Sequence, residues 1–133
     1  MNKYNFKYVG DLIIISAIIF GDKTTIPRKL ALAVDTASTK TILQPESIKM
    51  IGYSESDKTK DVGITTGSKT EKGYELKINK IDCLGFEWNK PKIIIKKLPL
   101  ALYFIDGLIG LDFFQSINKK LIIDFENNEI QII

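Results

Sequence analysis

The chain has 133 residues, 44% of them apolar and 26% charged, with a formal charge of +3. That is the size of one domain with one core and the balance of a globular chain. Lys is interspersed with acidic residues, Arg28 is the sole arginine, and no basic stripe alternates with aromatics, which excludes a nucleic-acid-binding surface. Histidine is absent and Cys83 is alone. Ser-His and Cys-His nucleophile pairs, His-containing zinc sites, cysteine metal clusters and intrachain disulfides are thereby excluded. Any chemistry falls to carboxylates, Lys, Tyr or hydroxyls. Cys83, in "KIDCLGF", reads as a small strand residue with no activating partner. It is compatible with a reducing compartment, and the cytoplasm is the expected location.

The apolar runs are short and separated by turn signals, which predicts an all-β chain. Expected strands are Phe6–Tyr8 and then Leu12–Phe20, "LIIISAIIF". This second run is too short to span a bilayer, which takes about 20 residues. No small-x-small cleavage site follows it, and its β-branched content suits a buried strand rather than a signal peptide. Leu30–Asp35 and Thr41–Leu43 follow, then a short helix over about Glu46 to Ile51 behind Pro45. "SESDKTKD", Ser54 to Asp61, reads as a solvated loop. Further strands are expected at Val62–Thr65, Tyr74–Ile81, Pro91–Lys96 and Tyr103–Ile105. A second helix is expected from about Asp112 to Ile117, with Asp112 as N-cap. Leu121–Phe125 and Glu129–Ile132 close the chain as a hairpin turning at Asn127-Asn128.

One carboxylate stands out. In "ALAVDTASTKTIL", Ala31 to Leu43, an apolar strand runs into Asp35, and Thr36, Ala37, Ser38 and Thr39 follow. A carboxylate at a buried strand end costs free energy unless it is hydrogen-bonded or used. Two readings stand side by side: an Asx-turn with Thr36 and Ser38 as turn residues, or a rigid carboxylate held for chemistry. "LYFIDGLIGL" echoes the pattern of a strand entering a break of small residues. The other acids read as structural: Asp106-Gly107 as a turn, Asp124 as outward-facing or paired with a Lys. Phe86 and Trp88 read as core or edge cover.

Three motifs in order carry a resemblance. "VDTAS" resembles the Asp-Thr/Ser-Gly signature of aspartic proteases. About 70 residues on, "GLIGLDFF" resembles the hydrophobic-hydrophobic-Gly element of that clan, here Leu108-Ile109-Gly110 leading into a helix. Between them "GITTGSKTEKGYEL" stands where the clan has its flap hairpin, with Thr65, Thr66, Gly67 and Ser68 about the tip. "LIIDFENNEIQI" resembles the closing strands. Over roughly Phe6 to Ile132 the chain resembles the retropepsin-like, single-domain aspartic proteases of bacterial and archaeal type.

The resemblance implies a small closed acid-protease-type β-barrel with one or two short helices. It implies a homodimer: the chain has one candidate loop, so two copies of Asp35 would meet on a twofold axis and share a proton. Thr36 would hydrogen-bond across that axis, and the hairpin would close over an extended peptide substrate. No cofactor, metal, nucleic acid or membrane span is implied. In viral relatives the chain termini form an interface sheet, and "EIQII" would pair in that way. The third signature position, usually Gly, is Ala37. If φ is positive there, Ala costs on the order of 1 kcal/mol; if negative, its methyl still has to fit beside the partner loop. This departure supports a second reading, a catalytically weak or inactive peptide-binding or dimerisation module on the same fold. A structure lacking the loop pair around Ala37 and Gly110 would leave only a plain β-barrel.

Overall fold

A computed structural model describes residues 2–22, 26–66 and 68–133. Five strands come first: β1 (Asn2–Asn5), β2 (Lys7–Val9), β3 (Leu12–Phe20), β4 (Arg28–Val34) and β5 (Ile42–Leu43). Helix α1 (Pro45–Lys49) leads to β6 (Lys60–Thr66), β7 (Lys69–Lys77), β8 (Lys80–Cys83), β9 (Phe86–Asn89), β10 (Lys92–Ile95) and β11 (Gly107–Ile109). Helix α2 (Leu111–Ile117), β12 (Leu121–Asp124) and β13 (Glu129–Ile132) complete the chain.

The large sheet has the order β6-β7-β10-β5-β11-β4-β3-β8-β9, with β2 also on β3. Its outer strands, β6 and β9, do not pair with each other. Among the described residues the sheet is therefore a curled half-barrel, and the closure expected from the resemblance is not shown. β9 is covered by α2 instead of a strand: the Trp88 ring lies 5.4 Å from Phe113, which is fully buried.

The β-branched runs form strands as expected, and the departures have local causes. Tyr74–Ile81 is broken after Lys77. Tyr74, Leu76 and Ile78 alternate inward, but Ile81 is also buried, three residues after Ile78. Only a break reconciles those phases, and there the chain leaves β10 for β3. β9 was not anticipated. It pairs with β8 through a two-residue turn, Leu84-Gly85, with φ of 51° and 80°, the signs a type I′ hairpin turn needs. A Cβ on Gly85 would overlap the Tyr4 hydroxyl. Tyr103–Ile105 is no strand. A 3-10 turn spans Leu100–Leu102, Ile105 caps a second core with Leu98, Ile14 and Ala33, and the strand begins at Gly107. The solvated "SESDKTKD" loop contains a 3-10 turn with a capping box between Ser54 and Asp57, and β6 starts within it.

β1, β13 and β12 form a separate three-stranded sheet in that order. β13 pairs with β1 on one side and β12 on the other, so "EIQII" has no edge left for a partner and the expected intersubunit role is corrected. Four residues, Phe125–Asn128, link β12 to β13, and Asn128 takes a φ of 52°. Asp124 faces this turn. It accepts hydrogen bonds from the Asn127 side chain at 2.9 Å and from the Asn127 and Glu126 amides at 3.0 Å.

The element that positions the acidic loop is a hydrogen-bond hub. Thr41, fully buried, accepts from the Gly110 amide at 3.0 Å and donates to Asp112 Oδ1 at 2.7 Å. The Thr41 amide donates to Asp112 Oδ2 at 3.0 Å. Asp112 is not the N-cap of α2; Gly110 is. The carboxylate lies in the first turn, where it also meets the Phe113 amide and the favourable end of the helix dipole. Gly110 has no room for a side chain: a Cβ would lie 2.7 Å from the Lys40 carbonyl carbon and oxygen and 2.8 Å from Ser38 O.

Thr41→Val removes the hydroxyl and leaves a buried amide and carboxylate short of a partner. It is expected to destabilise the fold by about 1–3 kcal/mol in urea unfolding, with Thr41→Ser costing less. Equal stability of the Val variant and wild type would show that the hub contributes nothing. For Asp124, the Asn127 side chain, then its amide, holds the carboxyl below its ordinary value of 3.8. A lowered folded value stabilises above the unfolded one and is lost as pH falls through it. The stability gap between wild type and Asp124→Asn should therefore be full above about pH 4 and vanish in stronger acid, as thermal melts across that range will register.

Candidate active site

β4 and β11 run parallel, with Ala33 beside Leu108 and Val34 beside Ile109. Both end together, so Asp35 and Gly110 are neighbours across the sheet. The Asp35 amide donates to Ile109 O at 3.0 Å, and the Leu111 amide donates to Ser38 O at 2.8 Å. The loop is thus clamped by backbone at both ends, with the Thr41 hub beneath it.

Within the loop, the Ser38 amide donates to Asp35 O at 3.1 Å, closing a turn. The Ala37 amide donates to Asp35 Oδ1 at 3.1 Å, and Ser38 Oγ donates to Lys40 O at 2.6 Å. The Asx-turn reading and the rigid-carboxylate reading describe one object: the turn is what holds the carboxylate. Its other oxygen, Oδ2, has no hydrogen-bond partner among the described residues. Asp35 is half-buried, and Thr36 and Ala37 are exposed. Ala37 is not among the residues with positive φ, so its backbone bears no strain from replacing glycine, and only its methyl is new.

The structure brings Asp35, Thr36, Ala37 and Ser38 together with Leu108, Ile109 and Gly110. Leu108 is half-buried and packs with Ala33 and Ile42 on the second core; Ile109 is wholly buried in the main one. Their role is to seat the loop. The echo between "ALAVDTAST" and "LYFIDGLIGL" corresponds to these parallel strands, shifted to Gly107–Ile109 in the second case.

The expected hairpin exists. β6 and β7 pair from Lys60 with Glu75 to Thr66 with Lys69. Thr65 and Thr70 place their hydroxyl oxygens 3.4 Å apart, and Ser68 is exposed. Gly67, and the side chain of Thr66, lie outside the described residues. Three strands (β10, β5 and β11) separate β7 from β4, and no hydrogen bond links hairpin and Asp35 loop among the described residues. Two clefts of about 740 and 400 Å³ flank Pro45, and neither is lined by the Asp35 loop.

Three residues escaped the sequence reading. Asp106 is no simple turn residue: its carboxylate accepts from the Ala31 amide at 2.8 Å and from Ser47 Oγ at 2.6 Å, tying β4 to α1. Lys96, 9% exposed, pairs with Glu71 of β7 at 2.5 Å and holds the hairpin to the segment after β10. Thr41 is the hub. Each partnership spans 25 to 75 residues of sequence, and no local pattern marks it. Burial pushes the Cys83 thiol up to about 12, far from a reactive thiolate. Among the described residues no three His, Cys, Asp or Glu side chains converge as metal ligands, and no helix is long and apolar enough to cross a membrane.

The family description "Aspartyl protease" matches residues 16–113, which include Asp35, the hairpin and Gly110. No curated protein matches by sequence. Among solved structures, the chain is similar to a retropepsin-like aspartic protease from Rickettsia conorii, with a TM-score of 0.71 and 15% identity over 98% of this chain and 89% of that one. It is similar to EIAV protease complexed with the inhibitor HBY-793, with a TM-score of 0.59 and 14% identity over 87% and 97%. The retroviral protease-like domain of Ddi1 from Leishmania major gives a TM-score of 0.56 and 13% identity over 91% and 87%. A clamped Asp35 loop, a glycine seated beneath it and a match across well over half of the sequence lead to one conclusion: this chain belongs to the aspartyl protease family and has the retropepsin-like fold.

Proposed function

We propose that the chain acts as a homodimeric aspartic endopeptidase, with one Asp35 from each subunit forming the catalytic pair. The observation that carries this is the state of Asp35. One carboxylate oxygen is fixed by the Ala37 amide, the other is open, and the loop lies at the surface. Asp61, Asp106 and Asp112 do not stand in a second loop of this kind, so the complementary carboxylate comes from a second copy.

On this reading the two carboxylates lie about 3 Å apart and share one proton, because both cannot ionise freely at that distance. The ionised one takes a proton from a water molecule, and the water oxygen adds to the scissile carbonyl carbon. The protonated one donates to the carbonyl oxygen. Collapse of the tetrahedral diol breaks the C–N bond as the nitrogen leaves with a proton. Thr36, exposed and without an intrachain hydrogen bond among the described residues, faces the partner loop. Thr65, Thr66, Gly67 and Ser68 close over a peptide in extended form.

The methyl of Ala37 is the one feature favouring a catalytically weak or inactive peptide-binding module. The two readings separate in a peptide-library digest at mildly acidic pH, read by mass spectrometry. The protease reading expects cleavage by wild type, a loss of at least about a hundredfold in Asp35→Asn, and equal or higher activity in Ala37→Gly. Cleavage that persists undiminished in Asp35→Asn would sink the catalytic assignment. No cleavage by wild type, with binding retained and Ala37→Gly also silent, would support the module.

A further inference from the structure

We propose that the two clefts flanking Pro45 form one continuous groove that binds an acidic, aromatic-containing segment of a protein substrate, away from the bond that is cut. The proposal rests on the protease reading above and adds a second contact, outside the catalytic loop, by which a substrate is selected.

The clefts of about 740 and 400 Å³ share two lining residues, Pro45 and Lys97, so they meet over that pair. The strand directions put this junction at the far end of the sheet from Asp35. β4 and β11 run parallel and finish at Asp35 and Gly110. β5 runs antiparallel to β11 and parallel to β10. It therefore starts beside the Asp35 loop, where Thr41 meets Gly110, and ends at the groove, as β10 does before Lys96 and Lys97. From Thr41 to Pro45 an extended chain covers about 13 Å. A segment seated over Pro45 thus lies about four residues or more from a peptide bond held at Asp35.

The two halves of the groove differ in chemistry. Around the smaller cleft stand Met50, Tyr103 and Phe104, which are 60%, 46% and 51% exposed. Apolar side chains scattered singly on a surface need no explanation, whereas three lining one cleft mark a place where something binds. The larger cleft runs along the hairpin past Lys72, and its charges do not balance. Asp61 and Glu55 are both held by Lys58, at 3.0 and 3.9 Å, and Lys96 is neutralised by Glu71. In the smaller cleft Glu46 pairs with Lys49 at 3.9 Å and acts on Lys97 from beyond ion-pair distance, while Asp106 is taken by the Ala31 amide and Ser47. Lys72 and Lys97 are exposed and have no carboxylate within ion-pair distance among the described residues. Lys97 stands at the joint of the two halves, its Nζ 5.6 Å from the centre of the Tyr103 ring.

A ligand with flat apolar groups at one end and carboxylates at the other matches both halves. Exposed lysine–carboxylate contacts contribute little singly. The aromatic half therefore supplies most of the affinity, and the lysines set the direction of the chain and its rate of capture. A peptide fits this division better than a nucleic acid, whose charge runs along its whole length.

The test uses the full chain carrying Asp35→Asn, so that binding is read without cleavage. The probe is a fluorescein-labelled peptide in which a Phe-Phe pair is followed by a run of glutamates. Its affinity, read by anisotropy, should fall about tenfold in Lys72→Glu/Lys97→Glu and in Phe104→Ala. With Asp35 intact, a cleavable peptide bearing this tail should show KM raised about tenfold by the same substitutions and kcat unchanged. A short peptide without the tail should be cut equally by all of these chains. Equal probe affinity with and without the substitutions overturns the groove. So does a glutamate run lacking the Phe-Phe pair, or a single-stranded DNA oligonucleotide, that binds as tightly as the probe, because either reduces the groove to a bare cationic patch. Groove-dependent binding by a chain that cuts no peptide upholds the groove and refutes the protease reading. Cleavage that ignores the tail overturns the groove and leaves the protease reading standing.

Discussion

Asp35 keeps its place because Gly110 can approach the backbone of Ser38–Lys40 closely enough to hydrogen-bond to Thr41. That approach brings a buried amide against a buried hydroxyl at 3.0 Å. In the interior, the amide would cost about 1–3 kcal/mol if unpaired, and Thr41 is the group that relieves it. The hydroxyl in turn donates a hydrogen bond to Asp112 Oδ1, and the Thr41 amide donates to Asp112 Oδ2. Two stretches 69 to 71 residues apart in sequence, the loop after β4 and the junction of β11 with α2, become one rigid block. The hydrophobic-hydrophobic-Gly element is accordingly a packing constraint. It positions the loop that carries Asp35.

What was legible in the sequence follows from the range of the forces involved. Strand alternation is local, so β3, β4, β12 and β13 are readable from β-branched runs and turns. The loop at Asp35 is readable because a carboxylate stands where an apolar residue belongs. The partnerships of Asp106 and Asp112 are not, because a carboxylate before Gly or Phe looks the same whether it starts a turn or bridges two strands 70 residues away. Tyr103–Ile105 shows the opposite error. Its apolar residues have strand propensity, yet Ile105 serves the second core from a turn, and tertiary packing overrides propensity. The break in Tyr74–Ile81 was visible in principle, since Ile78 and Ile81 cannot both point inward on one strand.

The terminal sheet separates this chain from the expectation that "EIQII" would pair between subunits. Pairing β13 within its own chain satisfies its hydrogen bonds without a partner. It also moves the exposed edge outward to β12. Among the described residues, the feature left open is the second carboxylate oxygen of Asp35.

On the proposed protease reading, a single Asp35 makes a carboxylate pair only with its own image, which requires a twofold axis. Two carboxylates brought together repel unless they share a proton, so the loop is a poor basis for association by itself, and a pair of this kind has to be held by surface outside it. The backbone clamp on Asp35 and the Thr41 hub fix the loop within one chain, so on that reading each carboxylate is positioned before the two copies meet.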